Sequence, residues 1–110
     1  MSYEIRNVNG AAVVALNGDV DLQTSPVVRQ KLLESLEGNT RVVVDLSAVN
    51  YIDSSGVASL VEAFQLSRKK GASFSLASVS SAAMRVLSLA RLDKVFTIHP
   101  SVEAATAAQG

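Results

Sequence analysis

Short β-branched apolar runs alternate along this chain with stretches whose apolar residues recur at helical spacing. That alternation limits the folds open to the chain more than any other feature. Residues 11–17, Ala-Ala-Val-Val-Ala-Leu-Asn, form one such run closed by Gly18, and residues 41–46, Arg-Val-Val-Val-Asp-Leu, form a second. Both are too short for an independent helix and read as buried strands. Tyr3, Ile5 and Val8 mark a preceding run over residues 3–8, and Asn9-Gly10 lies between the two. Asn-Gly favours a tight hairpin because both residues tolerate positive φ. The sheet is therefore predicted to open with an antiparallel pair.

Helical spacing supplies the intervening elements. Thr24 or Ser25 can cap a helix with Pro26 in its first turn, followed by Val28, Leu32, Leu33 and Leu36 before Gly38. Val57, Leu60, Val61 and Phe64 fall at i, i+3, i+4 and i+7, and the pattern runs into Arg68-Lys69-Lys70 and then Gly71. Cations suit the negative end of the helix dipole, and glycine suits the residue that leaves a helix left-handed. Phe74, Leu76 and Ala77 within residues 73–79 predict a half-buried strand, and Ala83, Val86, Leu87 and Ala90 a third helix. Val95, Phe96 and Ile98 suggest a short last strand, before an alanine-rich tail from Ser101 to Ala108 with few large anchors. The fold class is α/β: a mixed, largely parallel sheet of four to five strands with an N-terminal antiparallel hairpin, covered by about four helices.

Composition removes several kinds of function. A length of 110 residues suits one domain, spanning residues 1–110. With 48% hydrophobic residues, 18% charged and no net charge, the chain reads as a soluble globular protein without the basic footprint of a nucleic-acid binder. The absence of cysteine excludes disulfides, thiolate metal sites and cysteine nucleophiles. No apolar run approaches the length of a membrane span and Met1-Ser2-Tyr3-Glu4-Ile5-Arg6 is no signal peptide, so a cytoplasmic protein is expected. The lone His99, at a predicted strand end before Pro100, is a poor base for a serine hydrolase, and no nucleophile elbow surrounds any serine. No catalytic residues are assigned, and the chain is expected not to be an enzyme.

Other chemistries find little support. Asp19, Asp21, Asp45 and Asp53 are scattered too widely to make a metal signature. Asp45, at the end of its predicted strand, suggests the phosphoacceptor of a receiver domain, but the match stops at that residue. No metal and no cofactor are expected. The segment from Val49 to Val57 differs in character, being polar, compact and placed where a loop feeds the clearest helix. Ser54 or Ser55 would cap that helix, and Gly56 would permit close packing.

Asp53-Ser54-Ser55-Gly56, the turn Gly18-Asp19-Val20-Asp21, the strand to Asp45-Leu46, and Gly71 before the next strand occur in the order and spacing of one family. Over its whole length the chain resembles the STAS domain, the family of anti-sigma factor antagonists and sulfate transporter tails. In the antagonists that it resembles, a partner kinase that is also the anti-sigma factor phosphorylates the second serine of the motif, which here is Ser55. The resemblance implies a partner switch: the unphosphorylated protein binds the anti-sigma factor serine kinase and frees a sigma factor, and a phosphatase acting on Ser55 resets it. Asp21 is implied to help binding or phosphorylation beside the acceptor loop. The expected contact surface comprises Asp19, Asp21, Asp53, Ser54, Ser55 and Gly56, with Val57, Ala58 and Ser59 from the first turns of the helix. The same resemblance leaves an alternative, a subunit of an ABC transporter of lipid-trafficking type that contacts its ATPase. Met84, Leu89 and Leu92 fall partly off the inner stripe of the third helix and offer either a dimer contact or cover for the sheet edge.

Overall fold

A computed structural model describes residues 1–107. Strand β1 (Ser2–Val8) turns through Asn9-Gly10 into β2 (Ala11–Val20), then come α1 (Ser25–Gly38), β3 (Arg41–Ile52) and α2 (Ser54–Lys70). After these follow β4 (Ser73–Ala77), α3 (Ser81–Leu89), a 3-10 turn at Leu92–Lys94, β5 (Thr97–His99) and α4 (Val102–Ala107). The five strands lie in chain order, β1 antiparallel to β2 and every later pair parallel. The predicted mixed sheet, opening hairpin and helical cover are all present.

Strand alternation sends side chains to two unequal faces. Val14 and Leu16 of β2, Val42, Val44 and Leu46 of β3, and Phe74 and Leu76 of β4 join Val28, Leu32, Leu36, Leu60, Ala63, Ala83 and Leu87 in the main core. Phe64, Phe74 and Phe96 close one side of it, with ring centroids 5.4 to 6.5 Å apart. On the opposite face, Ala11, Val13, Val43 and Ala77 form a thin layer under Val102 and Ala105 of α4. The alanine-rich tail is thus anchored by Val102, and its predicted last residue, Ala108, lies outside the described residues. Both faces are covered at β4, so Ser75 and Ala77 are buried with Phe74 and Leu76, and the strand is not half-buried as its alternation suggests.

Two strand ends differ from expectation for one shared reason. Gly18 does not close β2; it sits inside it at φ 94°, where the pairing with β3 slips between Ala15 and Asn17 and again between Gly18 and Asp19. The irregularity lets both strands continue, and β3 runs on past residue 46 through Ile52 against Asn17–Val20, taking in the first residues of the polar segment Val49–Val57. Val49 and Ile52 point into the main core, while Ser47, Ala48, Asn50 and Tyr51 are exposed. Tertiary pairing therefore overrides the local polarity. Asp45 consequently lies within β3 between Ala15 and Ala77, not at a strand end, which removes the receiver-like geometry. Of the suggested α3 patch, Leu92 packs against the core and Met84 is half-buried, leaving Leu89 exposed.

Candidate partner-binding site at the start of α2

The site begins where β2 and β3 end side by side. Val20 pairs with Ile52, and the Asp53 amide donates to the Val20 carbonyl at 3.1 Å. Gly56 rests directly on these ends: a Cβ there would lie 2.8 Å from Ile52 Cγ1, Val20 Cγ1 and the Val20 carbonyl oxygen. Only glycine lets α2 start this close to the sheet, as expected of Gly56.

The cap of α2 is Asp53, not a serine. Its Oδ1 accepts from the Ser55 amide at 3.0 Å, the Gly56 amide at 3.1 Å and the Ser55 hydroxyl at 2.6 Å. A carboxylate can accept several donors at once, and at a helix N-terminus its charge also meets the favourable end of the dipole, so it outcompetes a hydroxyl for the role. Oδ2 accepts from the Leu22 amide at 3.2 Å, tying the β2–α1 turn to the start of α2. The Ser55 hydroxyl, followed by the Gly56 amide, holds the Asp53 carboxyl below the usual carboxylate range. Burial works the other way, and the Ser55 and Leu22 amides add smaller contributions.

Asp21 organises the neighbouring turn. Its Oδ1 accepts from the amides of Gln23 and Thr24 at 3.0 and 3.1 Å and from the Thr24 hydroxyl at 3.2 Å. Thr24 stands at the cap position of α1, but its hydroxyl turns back to accept from the Asp21 amide at 2.9 Å and donate to the Asp19 carbonyl at 3.0 Å. The half-buried Asp21 carboxylate is therefore spent largely on its own turn, whereas Asp19 is exposed.

The structure brings Asp19, Asp21, Asp53, Ser54, Ser55 and Gly56 into one neighbourhood, but not every expected side chain faces outward. Ser54 and Ala58 are exposed and Ser55 is half-buried. Val57 joins the core, and the buried Ser59 hydroxyl donates to the carbonyls of Ser25 and Ser55 at 3.3 and 3.2 Å. The expectation that Val57 and Ser59 offer side chains to a partner is corrected accordingly, because both lie on the inner stripe of α2. Two exposed apolar residues beside the loop escaped the sequence reading: Leu22, 74% exposed, and Tyr51, 52% exposed. The signal for Leu22 was its isolation between Asp21 and Gln23, while Tyr51 was hidden because its strand was read as a loop.

The helix start carries two serines, an exposed Ser54 and a half-buried Ser55, and of these the Ser55 hydroxyl is oriented by the Asp53 carboxylate. His99 lies two strands away on β5, and among the described residues no three acidic or histidine side chains gather as a metal site. No described helix is long and apolar enough to cross a membrane.

The chain is 29% identical over 103 residues to an anti-sigma-B factor antagonist of Bacillus subtilis, covering 94% of each chain. It is 33% identical to the anti-sigma-F factor antagonist RsfB of Mycobacterium tuberculosis, covering 100% of this chain and 91% of that one. Among solved structures, an anti-sigma factor antagonist from Mycobacterium paratuberculosis superposes with a TM-score of 0.87 at 27% identity, covering 97% of this chain and 92% of the other. The STAS domain family profile matches residues 2–105, and this chain belongs to the STAS domain family.

Proposed function

We propose that this protein is an anti-sigma factor antagonist acting as one domain over residues 1–110 in the cytoplasm, a binding protein and not an enzyme. Its loop around Ser55 docks an anti-sigma factor serine kinase, which frees a sigma factor. Phosphorylation of Ser55 releases the kinase, and a phosphatase restores the binding form. The observation that carries this reading is the half-buried Ser55 hydroxyl, held 2.6 Å from Asp53 at the start of α2. The names of the curated relatives support the same role.

Phosphorylation acts here through local electrostatics. It replaces the hydroxyl proton, so the bond to Asp53 is lost, and it adds a charge of about −1.5 to −2 beside a carboxylate. The dipole of α2 softens that cost, but the Ser55 and Gly56 amides are already engaged by Asp53. The phosphate therefore turns outward, into the surface formed by Ser54, Ala58, Leu22 and Tyr51, where its bulk and hydration oppose docking of a partner. Leu22 and Tyr51 supply the apolar contact of that surface, and Asp19 supplies a peripheral charge.

Affinity capture with wild type and Ser55→Asp, combined with phosphate mapping by mass spectrometry, tests the reading. Wild type is expected to retain a kinase of the anti-sigma type and to carry phosphate on Ser55. Ser55→Asp should lose that kinase with its melting temperature changed by only a few degrees, and Ser55→Ala should bind constitutively. Retention of transporter ATPase subunits by both wild type and Ser55→Asp would overturn the switch.

A further inference from the structure

Among the described residues β1 is an edge of the sheet, with β2 as its one strand neighbour. It pairs with β2 in unbroken register from Ser2 to Val8, contains neither proline nor bulge, and is exposed from Ser2 through Asn7. Natural edges are commonly shortened, bulged, charged, blocked by proline or covered; β5 at the opposite edge is only three residues long, and β1 relies on the charged Glu4 and Arg6 alone.

The hairpin determines which backbone groups of β1 point away from the sheet. Asn9 and Gly10 have φ of 52° and 82°, the pattern of a two-residue turn with both central residues left-handed, and Val8 stands opposite Ala11. In such a hairpin the closing pair is hydrogen-bonded, and bonding then alternates along the ladder. The amides and carbonyls of Asn7, Ile5 and Tyr3 therefore face outward. Their side chains lie on the helical face, opposite Ala12, Val14 and Leu16 respectively. Tyr3 and Ile5 are 42% and 44% exposed, with the Lys31 amine 5.5 Å from the Tyr3 ring centroid. Glu4 and Arg6 project from the other face as an ion pair of 3.8 Å.

We propose that β1 pairs antiparallel with β1 of a second copy of this chain, about a two-fold axis at Ile5, joining two five-stranded sheets into one. Three central registers let outward-facing groups meet. Two of them place Glu4 opposite Glu4 or Arg6 opposite Arg6, setting like charges directly across the ladder. The third places Ile5 opposite Ile5, and Glu4 of each copy then faces Arg6 of the other. The charge pattern thus selects one register. In that register the exposed Ile5 side chains cover each other, Tyr3 meets Asn7, and each internal Glu4–Arg6 pair joins a four-residue cluster of alternating sign. Such a two-fold contact is closed and self-complementary, so it ends at a dimer and does not propagate into a fibre. It uses no residue of the Ser55 site, so its test is independent of the partner-switch reading. One edge strand buries less than a standard interface, so a dissociation constant on the order of 10⁻⁴ M is expected.

Sedimentation of the full chain from about 10 μM to about 1 mM tests this across the expected range of affinity. Wild type should move from 11.5 kDa toward twice that mass. Glu4→Arg and Arg6→Glu should each weaken association about ten-fold or more, and the double swap, Glu4→Arg with Arg6→Glu, should restore it. Circular dichroism establishes that each variant is folded. Amide exchange in wild type supplies a readout free of substitution: Tyr3, Ile5 and Asn7 should become protected as concentration rises, while Glu4 and Arg6 do not change. The proposal fails if wild type remains at 11.5 kDa throughout the range. It also fails if folded single reversals dimerise like wild type, or if a folded double swap stays monomeric.

Discussion

The two ends of α2 each carry a glycine and a cluster of polar residues, and they use them for opposite purposes. At the start, Gly56 is pressed against Val20 and Ile52 with no room for a methyl group. At the end, Gly71 has open space around it and is there for its φ of 70°, which lets its own amide and that of Ala72 close on the carbonyls of Arg68 and Ser67. The start is capped by a side chain, Asp53, whose oxygens gather donors from two loops, whereas the carbonyls at the end are closed by backbone amides while the cations go separate ways: Arg68 lies 5.8 Å from the Phe64 ring centroid and Lys70 donates to the Leu36 carbonyl at 3.4 Å. A helix terminus becomes a candidate site when its polar groups converge on one atom, and remains a plain stop when they disperse.

Substituting each glycine separates the two cases. Gly56→Ala is expected to cost about 1–3 kcal/mol through overpacking against a backbone carbonyl that cannot move aside. Thermal melting reads this as a fall of roughly 4–8 °C per kcal/mol in a domain of this size. Gly71→Ala should cost about 1–2 kcal/mol through backbone conformation alone. Asparagine sharpens the contrast: Gly71→Asn should recover most of the loss because Asn tolerates the left-handed region, while Gly56→Asn should be worse than Gly56→Ala. Equal rescue at both positions would refute the distinction between lack of space and backbone geometry.

The smallest effect lies in acid. Hydrogen bonds lower the folded-state pKa of Asp53 from its ordinary value of 3.8. The stability it contributes is complete above 3.8 and is lost as pH falls through the lowered folded value. Urea midpoints of Asp53→Asn should therefore lie below wild type at neutral pH and converge with it below pH 3.8. A gap that stays constant with pH would mean that the charge of Asp53 contributes nothing to the cap.

The elements that local chemistry specifies were legible in the sequence. Asn9-Gly10 determines the hairpin, Val57, Leu60, Val61 and Phe64 trace the inner stripe of α2, and Gly71 ends it. What escaped depends on partners distant in sequence. Residues 47–52 are strand only because Asn17–Val20 run alongside, a pairing made possible by the irregularity around Gly18. The cap of α2 was misread because Asp53, Ser54 and Ser55 are all competent cap residues, and the choice rests on which of them stays extended after Ile52. The grouping of Asp19, Asp21 and Asp53 was expected from family resemblance, and an ordering role for Asp53 in its own loop was one of the readings open for it, but the occupation of the Asp21 carboxylate by its own turn was not expected.

The chain-order sheet has a consequence for how the molecule is made. Each new strand adds beside the one just completed, and none has to be inserted later between two neighbours. The Ser55 loop and the turn that braces it come from one continuous stretch, residues 19–59, so their geometry is complete once β3 and the first turns of α2 have docked on the hairpin. Later segments thicken the core and lengthen the sheet without passing through this corner. During vectorial synthesis the recognition end can therefore take shape ahead of the C-terminal third, whose contribution is to prevent it from coming apart again.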